Sequence, residues 1–146
     1  MKVQSLRHMV MKVRNQKRAE EFYSGILCFP IVARNEEAKM TFFSFGDYHH
    51  HFGIIEIGEN ATDIGKDSVG LHHAAFKIGD SLEELKEAKE YLALNGIEAR
   101  TRDHIVTQSL YFNDPDGNPL ELYVEGSDKW KTDPKIIGQP GKDFDL

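Results

Sequence analysis

Short apolar segments recur along the chain, and polar or turn-forming residues separate them. Eight segments have the length and residue types that predict β-strands. The predicted strands are 6–13, 29–34, 39–45, 50–57, 69–78, 97–101, 105–112 and 119–124. Two other stretches place apolar residues on one helical face, and they predict helices over 15–25 and 80–96. The predicted order is therefore strand, helix and three strands, repeated twice.

Both predicted helices carry start or stop signals. Asn15 is a suitable N-cap, and Gly25 is expected to end the first helix. The second helix is expected to stop at Asn95-Gly96 and to bury one apolar face. That face comprises Leu82, Leu85, Ala88, Tyr91 and Leu92. The segment 114–117, Asp-Pro-Asp-Gly, predicts a turn between the last two strands.

The two halves of the chain also repeat candidate chemistry at one interval. His8 and His73 are 65 residues apart, and so are Glu56 and Glu121. Because side chains alternate faces along a strand, all four residues are predicted to point away from the apolar face of their strands. Imidazole and carboxylate groups are ligands of divalent transition metals, so the repeat predicts a metal site. Duplication would copy structural residues equally well, and that alternative stays open.

Composition mainly excludes partners. The net charge of −6 argues against binding to nucleic acid, which requires a basic surface. No apolar run approaches the roughly 20 residues of a membrane span, and the N-terminus lacks the apolar core of a signal peptide. We therefore expect no membrane partner and a cytoplasmic location. The single cysteine, Cys28, follows two apolar residues and is expected to be buried.

The length of 146 residues predicts a single domain. Its predicted parts are module 1 (about 5–58), a polar linker (59–68), module 2 (about 69–125) and a C-terminal arm (126–146). The arm shows no periodicity, and we expect it to lie over the surface as an arm or lid, or to be partly mobile.

Three stretches carry a family resemblance. They are 6–13 together with 19–23, 70–76, and 109–123, where Asp-Pro-Asp-Gly-Asn-Pro precedes Leu-Glu-Leu. They resemble the vicinal oxygen chelate superfamily, which includes glyoxalase I, bleomycin-resistance proteins and extradiol ring-cleavage dioxygenases. The resemblance covers about residues 5–125. It implies an α+β fold in which two βαβββ modules form a cupped mixed sheet, or half-barrel, around a metal, and it implies a homodimer.

The resemblance is strongest to small single-domain extradiol dioxygenases. It implies that His8, His73 and Glu121 bind the metal, with Fe(II) expected and Mn²⁺, Ni²⁺ or Zn²⁺ as alternatives. A glyoxalase-like site would use Glu56 as a fourth ligand. The role of Glu56 therefore separates the two kinds of site.

Three more residues favour ring cleavage, because the resemblance implies that His50, His104 and Tyr111 are catalytic. A His near its ordinary pKa can take a proton from a catechol, and His or Tyr donors can stabilise negative charge on oxygen. By strand parity His50 is predicted to face the same way as Glu56. His49 would replace His50 if the strand shifted by one residue.

The predicted function is that of an enzyme, a metal-dependent extradiol-type dioxygenase that acts on a catecholic aromatic substrate with O₂. One alternative is a glyoxalase I-like isomerase, lyase or transferase, which would need a divalent metal but no O₂. Another is a non-enzymatic binding protein of the bleomycin-resistance type, which would hold no metal.

Overall fold

The computed structural model describes residues 1–65 and 67–146. The chain forms two compact units, unit 1 (Met1–Ile64) and unit 2 (Gly65–Leu146). Each unit contains one mixed four-stranded sheet, and the predicted order of strand, helix and three strands is confirmed in both. The fold class is α+β, as predicted. The predicted linker includes Lys66, which lies outside the described residues.

Unit 1 contains four strands, β1 (Met9–Val13), β2 (Ile31–Asn35), β3 (Met40–Phe43) and β4 (Phe52–Glu56). They lie in the order β1-β4-β3-β2, with β1 parallel to β4 and the other neighbours antiparallel. Helix α1 (Gln16–Glu20) follows β1 and continues as a π-helical segment, Glu21–Ile26. The predicted N-cap is confirmed, because the side chain of Asn15 accepts a hydrogen bond from the Arg18 backbone.

One face of this sheet packs against the helical segment through aromatic rings. The Tyr23 ring is fully buried, and its centroid lies 5.0 Å from that of Phe52 and 6.1 Å from that of Phe43. Large aromatic side chains contribute strongly to the hydrophobic stabilisation of a core. The opposite face of the sheet is left without a helix of its own unit.

A polar network joins α1 to the same sheet face. Thr41 in β3 is fully buried; its hydroxyl accepts a hydrogen bond of 2.9 Å from Gln16 Nε2 and donates one to Glu20. Arg34 in β2 donates two hydrogen bonds to Glu20, of 2.8 and 3.0 Å. These bonds, that of Arg34 first, lower the pKa of the Glu20 carboxyl.

Unit 2 repeats the topology with β5 (Ala74–Gly79), α2 (Leu82–Leu94), β6 (Arg100–Asp103), β7 (Thr107–Asn113) and β8 (Pro119–Glu125). The sheet order is β5-β8-β7-β6, and β5 is parallel to β8.

Ser81 and Glu84 form a capping box at the start of α2, and Gly96 follows its end with a φ of +75°. The buried face of α2 is narrower than predicted. Leu85 and Leu92 are buried, whereas Leu82 and Tyr91 are exposed.

The predicted turn between β7 and β8 is confirmed. One carboxylate oxygen of Asp114 accepts hydrogen bonds from the backbone of Asp116 and Asn118, at 2.9 and 2.8 Å. Gly117 adopts a φ of +86°, which favours glycine at this position. The turn sets the pairing of β7 with β8 and therefore the register of the sheet.

The C-terminal arm is ordered against β6. It forms two short 3₁₀ helices, Lys129–Lys131 and Pro134–Gly138, before it reaches the sheet. There the backbones of Asp103 and Lys142 exchange two hydrogen bonds of 2.8 Å. The arm thereby pairs with a strand edge that would otherwise be open.

Seven of the eight strands in the described residues begin later than predicted, and three of these shifts concern a candidate site residue. His8, His50 and His73 were predicted inside strands, but each lies one or two positions before the first strand residue. A strand begins where its partner strand offers hydrogen bonds, and the local apolar pattern does not report that point.

The prediction that Cys28 is buried is wrong. Its side chain is exposed, and its backbone has a left-handed φ of 58°. Gly25 does not end the helical segment, which runs one residue further to Ile26. The chain leaves this segment through the left-handed turn at Cys28, and that turn directs the thiol outward.

No helix within the two described ranges is long and apolar enough to cross a membrane.

We expect the Glu20→Gln variant to lose stability at neutral pH but not in acid. The folded-state pKa of Glu20 lies below its ordinary value of 4.5. The ion pair therefore stabilises the protein above that pH, and its contribution is lost as the pH falls through the folded-state pKa. Thermal unfolding followed by circular dichroism should show a loss of about 0.5–1 kcal/mol near neutral pH, and a loss that shrinks toward zero as the pH is lowered below 4.5.

The matched control is Glu21→Gln, because Glu21 is the exposed neighbour in the same helical segment. This control should unfold like the wild type across the same pH range. An equal loss of stability in the two variants would contradict the role of the Glu20–Arg34 pair.

Candidate metal and catalytic site

The predicted site residues fall into two sets, one in each unit. Unit 2 holds His73, His104, Tyr111 and Glu121, and unit 1 holds His8, His50 and Glu56. Among the described residues, neither unit by itself contains three or more His, Cys, Asp or Glu side chains arranged to hold a metal ion.

The sheet register of unit 2 brings Glu121 and Tyr111 together. They lie directly opposite each other in the pairing of β7 with β8. Leu120 and Leu122, which flank Glu121, are buried and point to the other face of the sheet. Glu121 therefore points away from the apolar face, as strand alternation predicted.

Glu121 is nearly inaccessible, and both of its oxygens have partners. Its residue exposure is 6%, and the hydroxyl of Ser109 donates a hydrogen bond of 2.5 Å to Oε1. His73 Nε2 lies 2.9 Å from Oε2. The other ring nitrogen of His73, Nδ1, lies 2.6 Å from Nδ1 of His72. The ring of His73 is therefore oriented with Nε2 toward the carboxylate.

This pair fits a divalent metal. Two ligand atoms at about 2.1 Å from one ion, and at right angles to each other, lie about 3 Å apart. The distance from His73 Nε2 to Glu121 Oε2 agrees with that spacing. An imidazole nitrogen with a carboxylate oxygen suits Fe(II), Mn²⁺, Ni²⁺ or Zn²⁺. The bond from Ser109 would orient the carboxylate ligand from behind.

Tyr111 and His104 extend this set. The Tyr111 ring lies edge-on to His73 with centroids 5.5 Å apart, and its hydroxyl lies 3.0 Å from His104 Nε2. Burial, and then the negative charge of Glu121, raise the pKa of Tyr111 to about 12. The phenol therefore stays protonated at neutral pH and can donate a hydrogen bond.

In unit 1 His8 lies beside His50. Their ring centroids are 4.4 Å apart, and the His50 ring also packs against Phe42, at 5.0 Å. His49 is close as well, because its Nδ1 lies 2.5 Å from Nδ1 of His50. Desolvation, followed by the charges of the neighbouring imidazoles, lowers the pKa of His50. Phe42 lies on the sheet face opposite the buried Phe43, so the His8–His50 pair lies on the face without a helix.

Glu56 lies on the opposite face from this pair. Its side chain lies on the same face of β4 as those of Phe52 and Ile54, which are fully buried beneath α1. Its carboxylate accepts a hydrogen bond of 2.9 Å from the backbone of Gln16 and pairs with Lys39. These two contacts, the backbone bond first, lower the pKa of Glu56. The predictions that Glu56 points away from the apolar face and that it faces the same way as His50 are wrong.

The register of the two sheets explains the error. Met9 pairs with Phe52, 43 positions later, whereas Ala74 pairs with Leu120, 46 positions later. The pairing of the two parallel strands in unit 1 is therefore shifted by three residues relative to the equivalent pairing in unit 2. An odd offset moves a side chain to the other face of its sheet. The residue of unit 1 that occupies the pairing position of Glu121 is Gly53, which has no side chain.

Two contacts of these sets were not predicted from the sequence. Ser109 holds the Glu121 carboxylate, and Phe42 packs against His50. A signal existed for Ser109, because it stands two positions before Tyr111 and so shares its strand face. Nothing in the sequence marked Phe42, since its neighbour Phe43 is the same residue type and only one of the two lies on this face.

Comparison with known proteins identifies the family. The family model described as the Glyoxalase/Bleomycin resistance protein/Dioxygenase superfamily matches residues 5–122. The chain is 28% identical to biphenyl-2,3-diol 1,2-dioxygenase 2 of Rhodococcus globerulus, over 94% of its own length and 75% of the relative's. It is 31% identical to catechol-2,3-dioxygenase of Bacillus subtilis, over 79% of its length but only 39% of that relative's.

Other relatives carry different activities in their names. Metallothiol transferase FosB of Staphylococcus saprophyticus is 30% identical over 84% of this chain and 78% of the relative. Among solved structures, the fosfomycin resistance protein FosX of Listeria monocytogenes has a TM-score of 0.64 at 23% identity, and the match covers 84% of this chain and 94% of that one. These relatives are named as dioxygenases, transferases and resistance proteins, so they do not specify one reaction. The chain belongs to the glyoxalase/bleomycin resistance protein/dioxygenase superfamily, that is, to the vicinal oxygen chelate proteins.

Proposed function

We propose that this protein is a metal-dependent extradiol-type dioxygenase that opens a catecholic ring with O₂. In this proposal His8, His73 and Glu121 bind the metal, which is Fe(II), and the enzyme works as a homodimer. Similarity to the biphenyl-diol and catechol dioxygenases supports the reaction class.

The position of Glu56 carries the proposal. A glyoxalase-like site needs a second carboxylate, but Glu56 accepts a hydrogen bond from the start of α1 and pairs with Lys39. Without Glu56 the candidate ligands are two His and one carboxylate. That set leaves coordination positions open on Fe(II), as oxygen-activating enzymes require.

The remaining residues have roles that agree with their contacts. His50, beside His8, would accept a proton from a catechol hydroxyl as the substrate binds. Tyr111 would donate a hydrogen bond to a substrate oxygen, and His104 would orient the Tyr111 hydroxyl through its contact at Nε2. Bound Fe(II) would supply the chemistry that joins the catechol and O₂.

The overall reaction needs no further cofactor. It breaks the ring bond between one hydroxyl-bearing carbon and its neighbour without a hydroxyl. Both atoms of O₂ enter the product, and no external reductant is consumed. The substrate class is therefore an aromatic compound with two adjacent hydroxyl groups.

The first test concerns the ligands. Elemental analysis of anaerobically purified protein is expected to find iron in the wild type, and none in His73→Ala or Glu121→Gln. Glu56→Gln should retain full metal content, although the loss of the charge that pairs with Lys39 should lower its melting temperature. Full iron occupancy in Glu121→Gln, or loss of iron from a folded Glu56→Gln protein, would contradict the ligand set.

The second test concerns the reaction. The iron-loaded protein is expected to consume O₂ with at least one member of a catechol panel. His50→Ala should retain iron and lower kcat by about 10²–10⁴-fold, as removal of a general base does. His49→Ala serves as the comparison, and the larger loss identifies the functional imidazole. Retained metal with thiol consumption and no O₂ uptake would instead favour a transferase, the activity named for the staphylococcal relative.

The third test concerns Ser109. The Ser109→Ala variant removes the hydrogen bond that orients Glu121, and we expect it to weaken metal affinity by about 10–100-fold. Thr107→Ala is the matched control, because Thr107 lies two positions earlier on the same face of β7. Metal titration monitored by calorimetry measures both variants. Equal affinity in Ser109→Ala and the control would rule out this role.

A further inference from the structure

The backbone of the C-terminal arm lies against the ring of His104. A Cβ atom at Gly141 would lie 2.6 Å from His104 Nδ1 and 2.7 Å from Cε1. Carbon atoms do not approach a ring this closely, so only glycine leaves the ring in its observed place. The φ of Gly141 lies outside the left-handed range, so the requirement for glycine comes from the ring and not from the backbone.

Another atom of the same ring faces the candidate site. His104 Nε2 lies 3.0 Å from the Tyr111 hydroxyl, and Tyr111 stands opposite Glu121 in the sheet. The ring of His104 therefore contacts both the arm and Tyr111.

The arm is anchored on both sides of the turn that carries His104. After the turn, the backbone N–H groups of Gly126 and Ser127 donate to Val106 O, at 2.8 and 3.3 Å. Before the turn, Arg102 donates a hydrogen bond of 2.8 Å to Gly141 O. The arm thus spans the β6–β7 turn from its beginning to its end.

The turn itself has a conformation that needs support. Ile105, next to His104, has a φ of 71°, which β-branched residues rarely adopt. The carboxylate of Asp103 accepts hydrogen bonds from the Ile105 backbone, at 2.7 Å, and from Gln108 Nε2, at 2.9 Å. Asp103 is also the residue whose backbone pairs with the arm at Lys142. The position of His104 therefore depends on the turn and the arm together.

We propose that Gly141 is a positioning residue, through which the C-terminal arm sets the His104 ring at hydrogen-bonding distance from Tyr111. The arm is then a functional part of the unit 2 site. The effect of Gly141 on catalysis rests on the proposed dioxygenase function, whereas its effect on His104 does not.

The test compares Gly141→Ala with Gly138→Ala. Gly138 lies in the same arm, but a Cβ atom there would meet nothing within 4 Å. Each substitution is made in the wild-type and in the His104→Ala background, and unfolding is measured in urea. We expect Gly141→Ala to lower the unfolding midpoint clearly more in the wild-type background, because His104→Ala removes the ring and leaves only the longer contact of the new methyl group with Arg102 Nε, at 3.2 Å. Gly138→Ala should have no effect in either background.

Nuclear magnetic resonance of ¹⁵N-His-labelled protein reports the ring directly. Gly141→Ala is expected to shift the His104 ring nitrogens, whereas Gly138→Ala should leave them unchanged. If Gly141→Ala does not fold, a chain that ends after Gly138 removes the contact between the arm and the ring, and it should also shift the His104 signals. Unchanged His104 signals in Gly141→Ala, or in the shortened chain, would overturn the proposal.

Kinetics separate positioning from a purely structural role. With an active catechol, Gly141→Ala should lower kcat by about tenfold to a hundredfold with a smaller change in KM. It should have no further effect in the His104→Ala background. Equal losses of kcat in both backgrounds would overturn positioning through His104. If the wild type turns over no catechol, the proposed function fails, while the unfolding and resonance measurements still decide the role of Gly141.

Discussion

Glu121 carries a carboxylate into the sheet of unit 2, where only 6% of the residue stays exposed. A buried charge costs free energy unless partners replace the lost water. Ser109 supplies one hydrogen bond, and His73 lies at hydrogen-bonding distance from the other oxygen. Tyr111 stands across the strand pair, close enough for the charge of Glu121 to raise its pKa. The polar face of unit 2 is therefore organised around one carboxylate.

The same carboxylate links the candidate chemistry to the end of the chain. Tyr111 reaches His104 through its hydroxyl, and His104 touches the arm at Gly141. The arm in turn pairs with β6, the edge strand of this sheet. Edge strands need cover because their free backbone groups invite pairing with other chains. One segment therefore protects the sheet edge and also contacts a candidate catalytic ring.

The elements that could be predicted are those whose determining residues lie next to them in the sequence. Helix α2 has a capping box and a terminal Gly96, and the turn at 114–117 has its Asp and Gly signals, so both could be predicted. The starts of β1, β4 and β5 could not, because a partner strand decides them. The arm pairs with β6 through backbone atoms, which leave no pattern in the sequence. The exposure of Cys28 depends on a left-handed turn that its apolar neighbours do not signal.

The 65-residue repeat predicts the correct sheet face for the Glu121 side chain but the wrong face for the Glu56 side chain. Both residues stand between two apolar residues, Ile55 and Ile57 in one case and Leu120 and Leu122 in the other. Yet the parallel strands of unit 1 pair three residues out of step with those of unit 2. Three is odd, so the shift exchanges the two faces of the sheet. One carboxylate then lies beside His73, and the other accepts a hydrogen bond from the start of α1. Equal sequence spacing implies equal chemistry only where strand register is also equal.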